Sequence, residues 1–229
     1  MPDFLADLDF VTIGGDAPGV LQRVNPMATR TTTGCVRACP FCGVRRIEPT
    51  FSELEDWPDR PILADNNVLA ASPEHFDRVM DRLESSWGWA DFTQGIDSRL
   101  LNRHHAARFA RLRDPRTRIR LALDSMDYAE QWLAAMETLS RAGVRKHAIY
   151  SYAIVGFRDT PEEAWRRCDF VKSQGVTVLA MRYHPLDALE RNVLTRVQRE
   201  AGWTDAEFKR LMGFYWRRRG ERPRFLEAV

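Results

Sequence analysis

Three of the chain's four cysteines fall within eight positions, in "TTTGCVRACPFCGVRR" at 31–46. Cys35, Cys39 and Cys42 form a C-x3-C-x2-C pattern, and thiolates at such spacing are ligands for borderline and soft metals. A structural zinc ion closes its shell with four ligands, usually two separated pairs. Here the second pair is missing. The remaining thiol, Cys168, stands in an amphipathic helical stretch, where a lone cysteine serves as a small core hydrophobe. Iron–sulfur clusters are also held by thiolates. A four-iron cube with three cysteine ligands keeps one iron free for a small molecule, which makes sense of the odd number.

The elements that position this cluster can be read from the rest of the chain. Short apolar or β-branched runs at 28–33, 61–65, 91–94, 118–124, 146–155 and 176–183 predict strands. Helical stretches at 72–86, 128–143 and 160–175 lie between them. Two of these open on Ser or Thr followed by Pro and Glu, and two close on Gly, the residues of an N-cap and a left-handed stop. Strand starts recur about every thirty residues, the size of one strand-plus-helix crossover, which predicts parallel strands with helices outside. Six units fit, too few for a closed eight-unit barrel of about 250 residues. The expected fold is α/β, an open, partial (β/α)6 TIM-like barrel at 28–200. A short N-terminal extension (1–27) precedes it and a basic C-terminal helical tail (201–229) follows. Function is expected where strands end and loops begin.

Composition limits the alternatives. With 34 basic and 32 acidic side chains among 229 residues, the net charge of +2 makes the whole molecule no polycation. The acidic start "MPDFLADLDFVTI" lacks the features of a secretory signal, and no apolar run has the length of a membrane span. A cytoplasmic, membrane-free protein is the expectation, and in that setting clustered cysteines are ligands or catalytic groups before they are disulfides. "GGDAPG" lacks the Lys and following helix of a phosphate-binding loop.

With Phe41 directly ahead of the last thiol, the cluster resembles the signature of the radical S-adenosylmethionine superfamily, C-x3-C-x-aromatic-C, and the likeness extends from about residue 28 to 186. The resemblance implies a [4Fe-4S] cluster on Cys35, Cys39 and Cys42, whose open iron chelates S-adenosylmethionine. An external one-electron reductant of the flavodoxin or ferredoxin type would drive cleavage to a 5′-deoxyadenosyl radical, which abstracts hydrogen from substrate. It also implies cofactor contacts from Phe41 and from the strand ends. Asp65, Asn66 and Asn67 stand where the family often has Gly-Gly-Glu, although Asp and Asn also favour turns by themselves. Gln94 and Asp97, beside Arg99, follow the third strand. Asp124 and Ser125 follow the fourth, and Asp124 equally suits a helix cap. Gly156 matches the last glycine of a Gly-x-Ile-x-Gly-like element, while Tyr152 replaces the earlier one. Val178 to Met181 correspond to the strand along the adenine.

For substrate, Tyr152 shares a strand face with Tyr150, and Arg182 with His184 near the end of the sixth strand, where a cation and an imidazole would meet an anionic group. Arg120 sits too early in its strand to be counted, and His104 and His105 read as a solvated helix start. The end "YWRRRGERPRF" is a candidate nucleic-acid contact, with arginines beside aromatics. The expected function is therefore a radical enzyme acting on a small molecule or a nucleotide, including a base within DNA. The competing reading is a non-catalytic zinc module that binds nucleic acid.

Overall fold

The computed structural model describes residues 19–217. Most of the N-terminal extension, up to residue 18, and the arginines beyond residue 217 lie outside the described residues. Mixed α/β structure with parallel sheets is present, and the strands form no closed barrel among the described residues. Strands β1 (Ala28–Thr29), β4 (Ile62–Leu63) and β5 (Asp91–Phe92) pair in parallel in that order. Strands β6 (Ile119–Ala122), β7 (Ile149–Val155) and β8 (Thr177–Arg182) form a second parallel sheet. Two single parallel bridges, Asp91 to Arg118 and Ile96 to Leu121, connect the sheets. Each of the six expected strands thus has a counterpart.

The first expected strand, 28–33, is split in two. Beyond β1 the chain leaves the sheet, and Thr32–Thr33 (β2) pairs antiparallel with Ser52–Glu53 (β3). The cause is Asp65, whose Oδ1 accepts hydrogen bonds from the amides of Thr31 and Thr32 at 2.7 and 2.5 Å. Those donors are thereby diverted from the parallel ladder.

Helix α3 (Pro73–Ser86) begins as expected, with Ser72 accepting from the His75 amide, and its Phe76, Val79, Met80 and Leu83 fall at helical spacing on the buried side. Helix α6 (Pro161–Ser173) begins with a reciprocal capping box between Thr160 and Glu163. Helix α5 (Ala129–Arg141) lies between them in the chain, and the short α4 (Arg103–Phe109) is capped by Asn102. The helices cover one face of the strands, so Ile119, Leu121, Ile149, Ala153, Val155, Val178 and Ala180 are buried in one core with Phe76, Phe109, Trp132 and Trp165. Cys168 belongs to this core, and burial pushes its thiol up to about 12, as suits a packing residue. His105 is also buried, with its ring 4.7 Å from Phe76; only His104 keeps the exposure expected of the pair and meets Asp77 at 3.0 Å. The helix face, not the local polarity of "NRHH", decides between them.

Helices α7 (Arg196–Glu200) and α8 (Asp205–Arg217) close the β8 edge. The Trp216 indole donates to the Ala180 carbonyl at 2.6 Å, and Gln198 Nε2 donates to the carbonyls of Gly156 and Tyr183. An edge with free ladder groups would invite another strand, so this cover has a clear use. Gly156 adopts φ +85, and a Cβ there would lie 2.5 Å from Phe208 Cζ. Gly156→Ala therefore combines a left-handed backbone with a clash. It is expected to destabilise the fold by about 2–4 kcal/mol, read as a lowered melting temperature that Phe208→Leu restores in part. Among the described residues no helix is long and apolar enough to cross a membrane.

Candidate cofactor site at the strand ends

The cysteines stand on the loop between β2 and β3, which the antiparallel pair closes at its base. Gly34 starts the loop with φ +70, and a Cβ on it would fall 2.2 Å from the Thr50 carbonyl oxygen, so only glycine fits where the two ends pass. Glu48 ties the loop down. Its carboxylate accepts two hydrogen bonds from Arg30, both at 2.6 Å, one from the Gly34 amide at 2.7 Å and one from Asn66 Nδ2 at 2.8 Å. The Arg30 bonds hold the Glu48 carboxyl below the usual range. A turn from the Cys42 amide to the Cys39 carbonyl (3.0 Å) sets those two residues together. Phe41 packs edge-on against Phe157 at 5.4 Å, and Phe157 against Tyr183 at 4.8 Å, so the loop rests on the ends of β7 and β8.

A cleft of roughly 340 Å³ opens under the loop. Cys35, Cys39, Cys42 and Phe41 line it from the loop. Asn66 and Asn67 line it after β4, Gln94 and Asp97 after β5, and Asp124 and Ser125 after β6. Ten of the expected residues, from four separate segments, thus share one cavity at the carboxyl ends of parallel strands, the place where such folds bind ligands.

The electrostatics follow from three residues. Asp97 Oδ2 accepts from Arg37 Nε at 2.7 Å and Asp97 Oδ1 from Arg99 Nε at 2.6 Å. Burial would raise the Asp97 carboxyl, but the two guanidiniums win and hold it low. Arg99 also stacks on Tyr128 at 4.7 Å and lies against Cys39. Burial pushes the Cys39 thiol up, with Arg99 pulling the other way. Arg37, Glu48 and Tyr128 were not expected. Arg37 lies inside the cysteine motif and was visible there; Glu48 and Tyr128 carry no local signal.

The donor set fits an iron–sulfur cluster. Cys35 Sγ accepts from the Arg37 amide at 3.4 Å and from Asn67 Nδ2 at 3.5 Å, hydrogen bonds of the kind that tune thiolate ligands. Asn67 Oδ1 is buried with no partner among the described residues, leaving an acceptor beside the cleft. Among the described residues no three His, Cys, Asp or Glu side chains converge as ligands of a single ion. A cube in which each thiolate holds its own iron makes no such demand.

Of the other expected residues, Asp65, Tyr152, Gly156, Arg182, His184 and Met181 do not line the cleft, and two that do, Asp124 and Ser125, use polar atoms within the fold. Asp65 is buried and spends Oδ1 on the amides and hydroxyls of Thr31 and Thr32, so it positions the cysteine loop from below. Asp124 Oδ1 accepts from the Ile154 amide at 2.9 Å, joining β6 to β7 instead of capping a helix, and loss of solvent pushes its carboxyl up. Ser125 caps the following turn and donates to Asp127. The Tyr152 hydroxyl donates to the Thr93 carbonyl at 2.7 Å and its ring lies beneath Gly95. Gly156 is enclosed by Phe208 and Gln198. Arg182 points behind the sheet, 4.1 Å over the Phe208 ring and 3.2 Å from Asp205. His184, half-buried, and Met181, exposed on β8, do not line the cleft. No known family model matches this chain, and no curated protein matches it in sequence.

Proposed function

We propose that the chain is a radical S-adenosylmethionine enzyme on an open (β/α)6 barrel. Cys35, Cys39 and Cys42 hold a [4Fe-4S] cluster, and the cleft beside them receives S-adenosylmethionine. Together these groups supply one-electron reductive cleavage and, through it, hydrogen-atom abstraction from a small-molecule or nucleotide substrate. The observation that carries the reading is the meeting of three cysteines with polar residues from the ends of β4, β5 and β6 in one cleft.

The chain's own residues divide the remaining work. Asn67 offers its unpartnered Oδ1 as an acceptor for an ammonium group, with Asn66 beside it held by Glu48. Arg37 and Arg99, spaced by Asp97, present positive charge to a carboxylate. Phe41, backed by Phe157 and Tyr183, keeps water from the loop side. An external one-electron donor, flavodoxin-like or ferredoxin-like, and a reducing compartment complete the proposal.

Anaerobic reconstitution with iron and sulfide tests it. A brown protein with broad visible absorption is expected, forming 5′-deoxyadenosine from S-adenosylmethionine and dithionite. A colourless, zinc-loaded protein, or a brown one that leaves S-adenosylmethionine intact, would overturn it.

A further inference from the structure

The face of the sheets away from the helices continues beyond the cysteine cleft and carries a second kind of chemistry. Arg118 and Arg120 alternate with the buried Ile119 and Leu121, so both guanidiniums lie on this half-exposed face. Tyr150 sits opposite Arg120 in register, and the two guanidiniums are 5.4 and 5.9 Å from its ring centroid. Arg116 stacks on Trp89 at 4.7 Å. In the other direction Tyr152 pairs with Ala122, and Ala122 and Gly95 belong to the cleft lining. A ladder of guanidiniums and rings therefore runs from Trp89 and Arg116 to the cleft, about 20 Å for six extended residues.

The charge along it is uneven. "RLRDPRTRIR" (111–120) holds five Arg and one Asp. Asp114 pairs with Arg116 and Asp91 with Arg120. The Arg118 guanidinium donates to the Pro115 and Thr117 carbonyls, and among the described residues no carboxylate forms an ion pair with it, whereas the Asp114 carboxyl is held low by Arg116 and also feels the charge of Arg145. Arg113 and Arg145 flank a separate cavity of roughly 350 Å³ near the ends of α4 and α5, on the helix side of β6 with the buried Thr117 and Ile119. Trp89 Nε1 is buried without an acceptor among the described residues.

Cations interleaved with aromatic faces suit a ligand that alternates phosphates with flat rings, and a single strand presents both where a duplex hides its base faces. An acidic electron donor fits worse, because the charge lies at the opposite end of the strands from the cysteines. We propose that this ladder binds single-stranded nucleic acid, with phosphates on Arg116 and Arg118 and a base against Tyr150, and leads the strand toward the cleft. As a substrate class this rests on the radical-enzyme reading; as a binding surface it does not.

The test is fluorescence anisotropy of the full chain with a labelled single-stranded oligonucleotide of about twelve nucleotides. Arg116→Gln/Arg118→Gln is expected to weaken binding at least tenfold and to flatten the log–log salt slope by about 1.4, from roughly 0.7 for each of two lost phosphate contacts. Tyr150→Leu should cost at least fivefold for the oligonucleotide and leave heparin binding unchanged. Undiminished binding in the arginine double variant, equal losses for heparin and oligonucleotide in Tyr150→Leu, or preference for duplex would each overturn the proposal. Formation of 5′-deoxyadenosine by a protein that binds no oligonucleotide would remove this inference and leave the enzyme reading standing.

Discussion

Cys42→Ala, reconstituted under the same conditions as the native chain, is expected to retain almost no iron and to form no 5′-deoxyadenosine. Cys42 is exposed, so losing its sulfur costs little packing, and the melting temperature should stay within the range of an ordinary surface substitution, about 0.5 kcal/mol. The turn that sets Cys39 beside Cys42 uses backbone atoms only and survives. On the proposed reading, one ligand of three would be lost, and a cluster with a single remaining pair would not be held. Cys168→Ala provides the contrast. Its thiol lies in the core, so that variant should lose about 1 kcal/mol of stability and keep its iron. Equal iron loss in both variants would mean that instability, not ligation, is being measured. Cofactor cleavage by Cys42→Ala at the native rate would refute the assignment.

Asp65→Ala is expected to have the largest effect on stability. One buried oxygen of Asp65 gathers two amides and two hydroxyls from Thr31 and Thr32, between 2.5 and 3.0 Å. Removing it strands several buried donors at once, a loss of about 3–5 kcal/mol against a total of about 5–15. The damage is directional, because those donors stand just ahead of Gly34 and the cysteines. Urea denaturation should show the lower stability, and the folded fraction should retain less iron than the native protein. Burial pushes the Asp65 carboxyl upward, while the bonds from Thr31 and Thr32 pull it down. Asp65→Asn keeps an accepting oxygen at the same place and should cost far less. An Asn variant as weak as the Ala variant would show that the charge, not the acceptor, holds the loop.

The two sites differ in how they could be found. The cysteine cleft announces itself in a motif of eight residues, whereas the arginine ladder is hidden by the near balance of charge over the whole chain. Arg120 looked remote because it sits early in its strand. On an open sheet, however, the early part of a strand faces the same side as its end, and alternation places Arg118, Arg120 and the cleft residue Ala122 on one surface.

The amino-acid sequence by itself determined the strand rhythm, the parallel crossovers, the starts of α3 and α6 at Ser72 and Thr160, and the three adjacent thiols. Each of these is a property of neighbours within a few residues, where period, capping chemistry and spacing act directly. Tertiary structure alone decided that Asp65 serves the backbone, that Arg182 turns behind the sheet, that Gly156 makes room for Phe208, and that Glu48 fastens the cysteine loop. Those outcomes depend on partners many positions away, and on which side of a strand a side chain emerges. Register between distant segments sets both, and no local pattern encodes it.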